Sequence, residues 1–199
     1  MATSLSTLRS KVRLRYARSR SSNDIRDSLL DVYINYALRE VYNTVGDNAW
    51  FLRKTGLITV NGPRTVTELP PNMKRLYRLE FESQSPGRDV DWTLVRYGDD
   101  NALVILTRCS GQVTAHFLDI PIDLVIETDE MALPDEHVEL PVVLACKRIA
   151  ESVGNVAFTQ SLTADLAPLW KAMKRDCLRY DGQRHEGLRS PYYIGHPSF

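Results

Sequence analysis

The hydrophobic period changes twice along this chain, and that change constrains the fold more than any other feature. From residue 25 to 45, apolar side chains recur at helical spacing: Ile25, Leu29, Leu30, Val32, Tyr33, Ile34, Tyr36, Ala37, Leu38, Val41, Tyr42 and Val45. Only a narrow stripe through Ser28, Asp31, Asn35 and Arg39 is polar. A lone amphipathic helix needs an apolar face of roughly 100°, so this wider face predicts packing on two sides. The second side is expected to meet the protein's own helices or an adjacent copy, with Tyr33, Tyr36 and Tyr42 as subunit-interface residues. Ser21 and Asp24 suit the helix start, and Gly46-Asp47-Asn48 the stop.

Beyond Trp50 the period shortens to that of strands. Extended segments are predicted at 57–60, 65–69, 76–81, 92–97, 103–107 and 113–117, broken by Asn61-Gly62, Pro70-Pro71, Ser85-Pro86-Gly87 and Ser110-Gly111. These breaks are too short for crossover helices, so the sheet is expected to be antiparallel. After Leu133-Pro134 the helical period returns through Val142, Val143, Cys146, Ile149 and Val153. Gly154-Asn155 reads as a stop. A last helix is predicted over 163–180, with Asp165 as N-cap and Pro168 in the first turn. The reading is an α+β chain. A helical bundle is formed by both chain ends, residues 1–50 and 135–181. An antiparallel β domain, 51–134, is inserted between them, and an extended tail covers 182–199.

Charge narrows the function. The chain has 199 residues with 25 Lys+Arg and 25 Asp+Glu, so bulk charge cannot drive binding to nucleic acid or membrane. The distribution is nevertheless uneven. Arg9, Lys11, Arg13, Arg15, Arg18 and Arg20 crowd an acid-free start, while residues 119–139 carry eight acids and no Lys or Arg. An Arg- and Ser-rich, acid-free start also reads as a transit peptide. Leu5, Leu8 and Val12 stand at i, i+3 and i+7 and are expected to line one helical face. The cluster is expected to contact an anionic surface, either DNA or acids on a neighbouring chain. No stretch reaches the ~18–20 apolar residues of a membrane span.

Chemistry is sparse. There is no P-loop, nucleophile elbow or His-Glu-x-x-His, and the four histidines lack metal-ligand spacing. Three scattered cysteines with no C-x-x-C argue for reduced thiols. His116 with Asp119 is a weak pairing. The expectation is a protein with no enzymatic activity, no cofactor and no metal. The tail has no period of its own, yet holds Tyr192, Tyr193, Ile194 and Phe199 among Gly and Pro, as an extended segment docking on another chain does.

The order of these features resembles the head–tail adaptor (connector) proteins of tailed bacteriophages. The resemblance runs through the 25–45 helix, Trp50-Phe51 before the first strand, Asn61-Gly62, Leu69-Pro70 with Asn72-Met73, Leu133-Pro134-Asp135 before an Ala-containing helix, and the closing helix. It covers about residues 22–181. Thr67-Glu68 departs from it where a tyrosine is expected. The resemblance implies a virion protein, a dodecameric ring below the portal with DNA as its channel contents. The portal protein and tail or nozzle proteins would be its partners, no membrane would be involved, and the C-terminal extension would bind the portal. The alternative is a nucleic-acid-binding regulatory protein that uses the basic N-terminal arm.

Overall fold

The computed structural model describes residues 3–17, 25–60, 66–67, 73–81, 92–97, 100–105, 111–119 and 121–187. Its class is α+β, and its strands pair antiparallel. The chain divides into two compact units: Met1–Phe51 with Asp123–Phe199, and Leu52–Ile122.

The first unit holds four helices, α1 (Leu5–Ala17), α2 (Asp27–Val45), α3 (Glu139–Ser152) and α4 (Val156–Gly187). Helix α3 is apolar nearly all round and buries Leu140, Val142, Val143, Leu144, Ala145, Cys146, Ile149 and Ala150. A helix of that kind must be enclosed, and α1, α2 and α4 all pack against it. Helix α1 contributes Leu5, Leu8, Val12 and Tyr16, all buried. Its face is locked by Cys146, whose thiol donates to the Val12 carbonyl at 3.6 Å. The edge-to-face pair Tyr16–Phe158, with centroids 5.9 Å apart, joins α1 to α4.

Helix α4 differs from expectation. It begins at Val156 rather than 163, and Pro168 lies in its interior. Asn155 is the cap in place of Asp165: its Oδ1 accepts the Phe158 N–H at 3.2 Å, and its carbonyl accepts Thr159 N–H at 3.0 Å. Gly154, with φ +69°, turns the chain sharply enough for one helix to end and the next to start. Pro168 removes the N–H that would bond the Ala164 carbonyl. The helix nonetheless continues, because Leu162, Leu166, Met173 and Cys177 keep one buried stripe across it. It runs on through Gly187, so residues 182–187 are helical and the tail predicted from 182 begins later than expected.

The second unit is built on two three-stranded sheets. In one, β6 (Gly111–Asp119) lies between β1 (Arg53–Val60) and β3 (Met73–Phe81). Ile58 faces Val113, and Leu79 faces Ala115. With Val60, Leu76 and Phe117 these residues form the core. In the other sheet, β5 (Asp100–Ile105) pairs with β2 (Val66–Thr67) and β4 (Trp92–Tyr97). The strands are not a simple meander. The first and last strands are neighbours, with Arg53 opposite Leu118, so the chain enters and leaves this unit side by side. That arrangement lets a β unit sit within a helical chain. The insert ends at Ile122 rather than 134. Residues 123–134 belong with the helices because their polar groups bond to α1 and α2.

Candidate functional site

Residues 123–131 decide which surfaces of the helical unit are open. Asn35 on α2 accepts the Leu124 N–H and donates to the Leu124 carbonyl, both at 2.9 Å. Arg39 Nε donates to Asp123 at 2.9 Å. Asp129 accepts the Val125 and Ile126 N–H groups at 2.6 and 2.8 Å, and those two bonds hold its carboxyl below the ordinary range. The segment then supplies carbonyls to the start of α1. Leu5 N–H donates to Asp129 at 2.9 Å and Ser6 N–H to Glu127 at 3.2 Å, while Ser4 Oγ accepts Thr7 N–H at 3.4 Å. These are orphan donors of a helix start, and each finds a partner.

The sequence-predicted cation cluster is placed unexpectedly. Its counter-charges are carboxylates of the same chain. Arg9 makes a two-pronged pair with Asp31, Nε to Oδ1 at 2.6 Å and Nη2 to Oδ2 at 2.7 Å, and reaches Glu127 at 3.3 Å. The hydrogen bonds to Asp31 raise the Arg9 pKa and hold the guanidinium charged. Arg13 pairs with Asp27. Arg15 bridges Glu139 at 3.1 Å and Asp165 at 2.7 Å, and Lys11 lies 3.6 Å from Glu139. Within the chain, these four residues are therefore paired with its own carboxylates. Apolar packing of α1 on α3 carries its cations onto α2, α3, α4 and the acidic segment. Arg18 and Arg20 lie outside the described residues.

The polar stripe of α2 is divided: Asp31 and Asn35 are half-buried and bind α1 and residue 124, while Ser28 and Arg39 stay exposed, Arg39 pairing with Asp123. The open face carries Leu29, Val32 and Tyr36, which are 47%, 46% and 49% exposed. These positions stand at i, i+3 and i+7 on one line. Val125 and Ile126, which follow the residues bonded to Asn35 and Arg39, are also strongly exposed. Tyr36 lies against the guanidinium groups of Arg39 and Arg148, 5.9 and 5.8 Å from its ring centroid. Tyr33 is half-buried. Tyr42 is buried against Phe51, and burial pushes its phenol up to about 12, so it takes no part in the open face. Tyr192, Tyr193, Ile194 and Phe199 lie outside the described residues.

Among the described residues, Lys171, Lys174 and Arg179 form no ion pair and stand exposed on one side of α4. Trp170 and Leu178 share that side. Burial of Cys146 pushes its thiol up to about 12, which removes it as a nucleophile. No described helix is long and apolar enough to cross a membrane. Comparison with protein-family models gives no match, and comparison with curated proteins gives none either.

Proposed function

We propose that this chain is a structural virion protein, a head–tail adaptor whose copies form a ring joining the portal to the tail of a phage. The observation that carries this reading is the α2 face. Leu29, Val32 and Tyr36 form an apolar line that the single chain leaves about half exposed. A patch of this kind marks a protein interface. Helices from both chain ends, with a β unit whose entry and exit strands are neighbours, support the same reading through the resemblance. On it, the ring is dodecameric and encloses the DNA exit channel. The tail residues Tyr192, Tyr193, Ile194 and Phe199 anchor in the portal, and tail or nozzle proteins meet the opposite side.

A second reading, a nucleic-acid-binding protein, is favoured by one observation, the unpaired cations of α4 rather than those of the arm. Co-sedimentation separates the two. An adaptor pellets with portal-bearing heads and binds free DNA weakly. A regulatory DNA binder stays with free DNA as a monomer and loses it steeply as salt rises.

A further inference from the structure

Outside the surfaces above, one cluster among the described residues of the helical unit is not explained by polar packing. The turn Asp135–His137 precedes α3 and faces the C-terminal half of α4 across a cavity of about 570 Å³. His137 is inside it, its side chain only 7% exposed. Its Nε2 is buried and receives no hydrogen bond. Asp176 Oδ2 lies 3.4 Å from that nitrogen without making a hydrogen bond to it, and Glu136 Oε1 lies 3.8 Å away. All three ligand atoms fall within 4.8 Å of one another. A buried imidazole nitrogen with no partner is costly, and leaving it so needs a reason. The reason offered by its neighbours is two carboxylate oxygens converging on the same point.

We propose that Glu136, His137 and Asp176 form a binding site for a divalent cation of the zinc class, which ties the turn before α3 to α4. One imidazole and two carboxylates are a donor set that first-row divalent ions accept. Bonds of roughly 2.0–2.1 Å in a tetrahedron place ligand atoms about 3.3 Å apart. The His137–Asp176 edge, at 3.4 Å, already has that length, the Glu136–His137 edge, at 3.8 Å, needs half an ångström, and the Glu136–Asp176 edge lies within 4.8 Å. Glu136 is well exposed and can swing to close the remaining gap, leaving a fourth position for water. Arg175 Nε sits 3.4 Å from Asp176 Oδ1, so it occupies the oxygen turned away from His137 and orients the other. Two carboxylates offset the charge of the ion despite the nearby Arg175 and Arg179. Sequence spacing hid the site, because Glu136 and His137 are adjacent while Asp176 comes from another helix. The inference is independent of the adaptor reading.

The test is titration of the untagged full-length chain with zinc chloride by calorimetry, and with cobalt chloride by visible absorption. One equivalent of metal per chain is expected, with the bands of tetrahedral or five-coordinate cobalt. Zinc is expected to raise the melting temperature, and EDTA to reverse the rise. His137→Gln should weaken binding at least 100-fold and Asp176→Asn at least 10-fold, the range in which ligands and their orienting partners act. Glu136→Gln should have the smallest effect, because that residue closes last. Far-UV circular dichroism in EDTA checks folding of each variant. If His137→Gln fails to fold, Asp176→Asn and Glu136→Gln decide the matter. Absence of stoichiometric binding by the wild-type chain overturns the proposal. So does unchanged affinity in the variants that fold, which would place the metal elsewhere.

Discussion

Truncating Leu8 tests whether the basic N-terminal segment is part of the core or an appended arm. Leu8 is 1% exposed on α1, on the face with Leu5, Val12 and Tyr16 that packs against α3. Leu→Ala at such a site loses the transfer energy of the removed atoms and leaves a cavity, a combined cost of about 2–5 kcal/mol. Leu5 and Val12 flank it on the same face and can relax only in part, so about 3 kcal/mol is expected. At roughly 2–4 °C per kcal/mol for a chain of this size, melting should fall by about 6–12 °C. Leu14, on the same helix but 68% exposed, is the control, and Leu14→Ala should stay within about 0.5 kcal/mol. The assay is urea unfolding followed by the helical circular dichroism signal, which reports the first unit. Equal midpoints for Leu8→Ala and Leu14→Ala would refute the packing argument and return the segment to solvent.

Cys146 should resist iodoacetamide at pH 8 in the folded chain and react fully in urea, read by peptide mass spectrometry, because burial lifts its pKa to about 12. Tyr42 ionises near 12 when folded against about 10 when unfolded, so it contributes stability below pH 10 that is lost as pH rises towards 12. Tyr42→Phe should flatten that alkaline slope in denaturation curves taken from pH 9 to 11. Asp129 and Asp135 are held below their ordinary pKa, Asp129 by backbone N–H groups and Asp135 first by Thr3. Their stabilisation is present above pH about 4 and is lost as pH falls through the lowered values. Asp129→Ala should speed hydrogen exchange at the Val125 and Ile126 amides, seen by NMR, while leaving β1 amides unchanged.

The elements themselves were legible wherever periodicity was local. The strand 92–97 is β4, and Leu5, Leu8 and Val12 do line a buried helical face. Boundaries failed where one residue served two helices. Gly154 ends α3 and Asn155 starts α4, and the pair was read only as a stop. Pro168 was then assigned to a first turn, because proline is costly elsewhere in a helix. The buried stripe through Met173 outweighs that cost, and the stripe was visible only against α3. Polarity along α2 misled for a related reason. Asp31, Asn35 and Arg39 bind the part-buried Arg9 and the returning segment, and no sequence spacing connects positions 31 and 9. The same limit applies to His137 and Asp176.

An image of the assembled particle tests the central claim most directly. Portal-bearing heads of the parent virus, incubated with the purified chain, should show a closed ring of added density beneath the portal at low resolution. Val32→Glu places a charge in the middle of the open α2 face and should abolish that ring while leaving the chain folded. Heads with no added density after incubation with the wild-type chain, or full rings formed by Val32→Glu, would contradict the account.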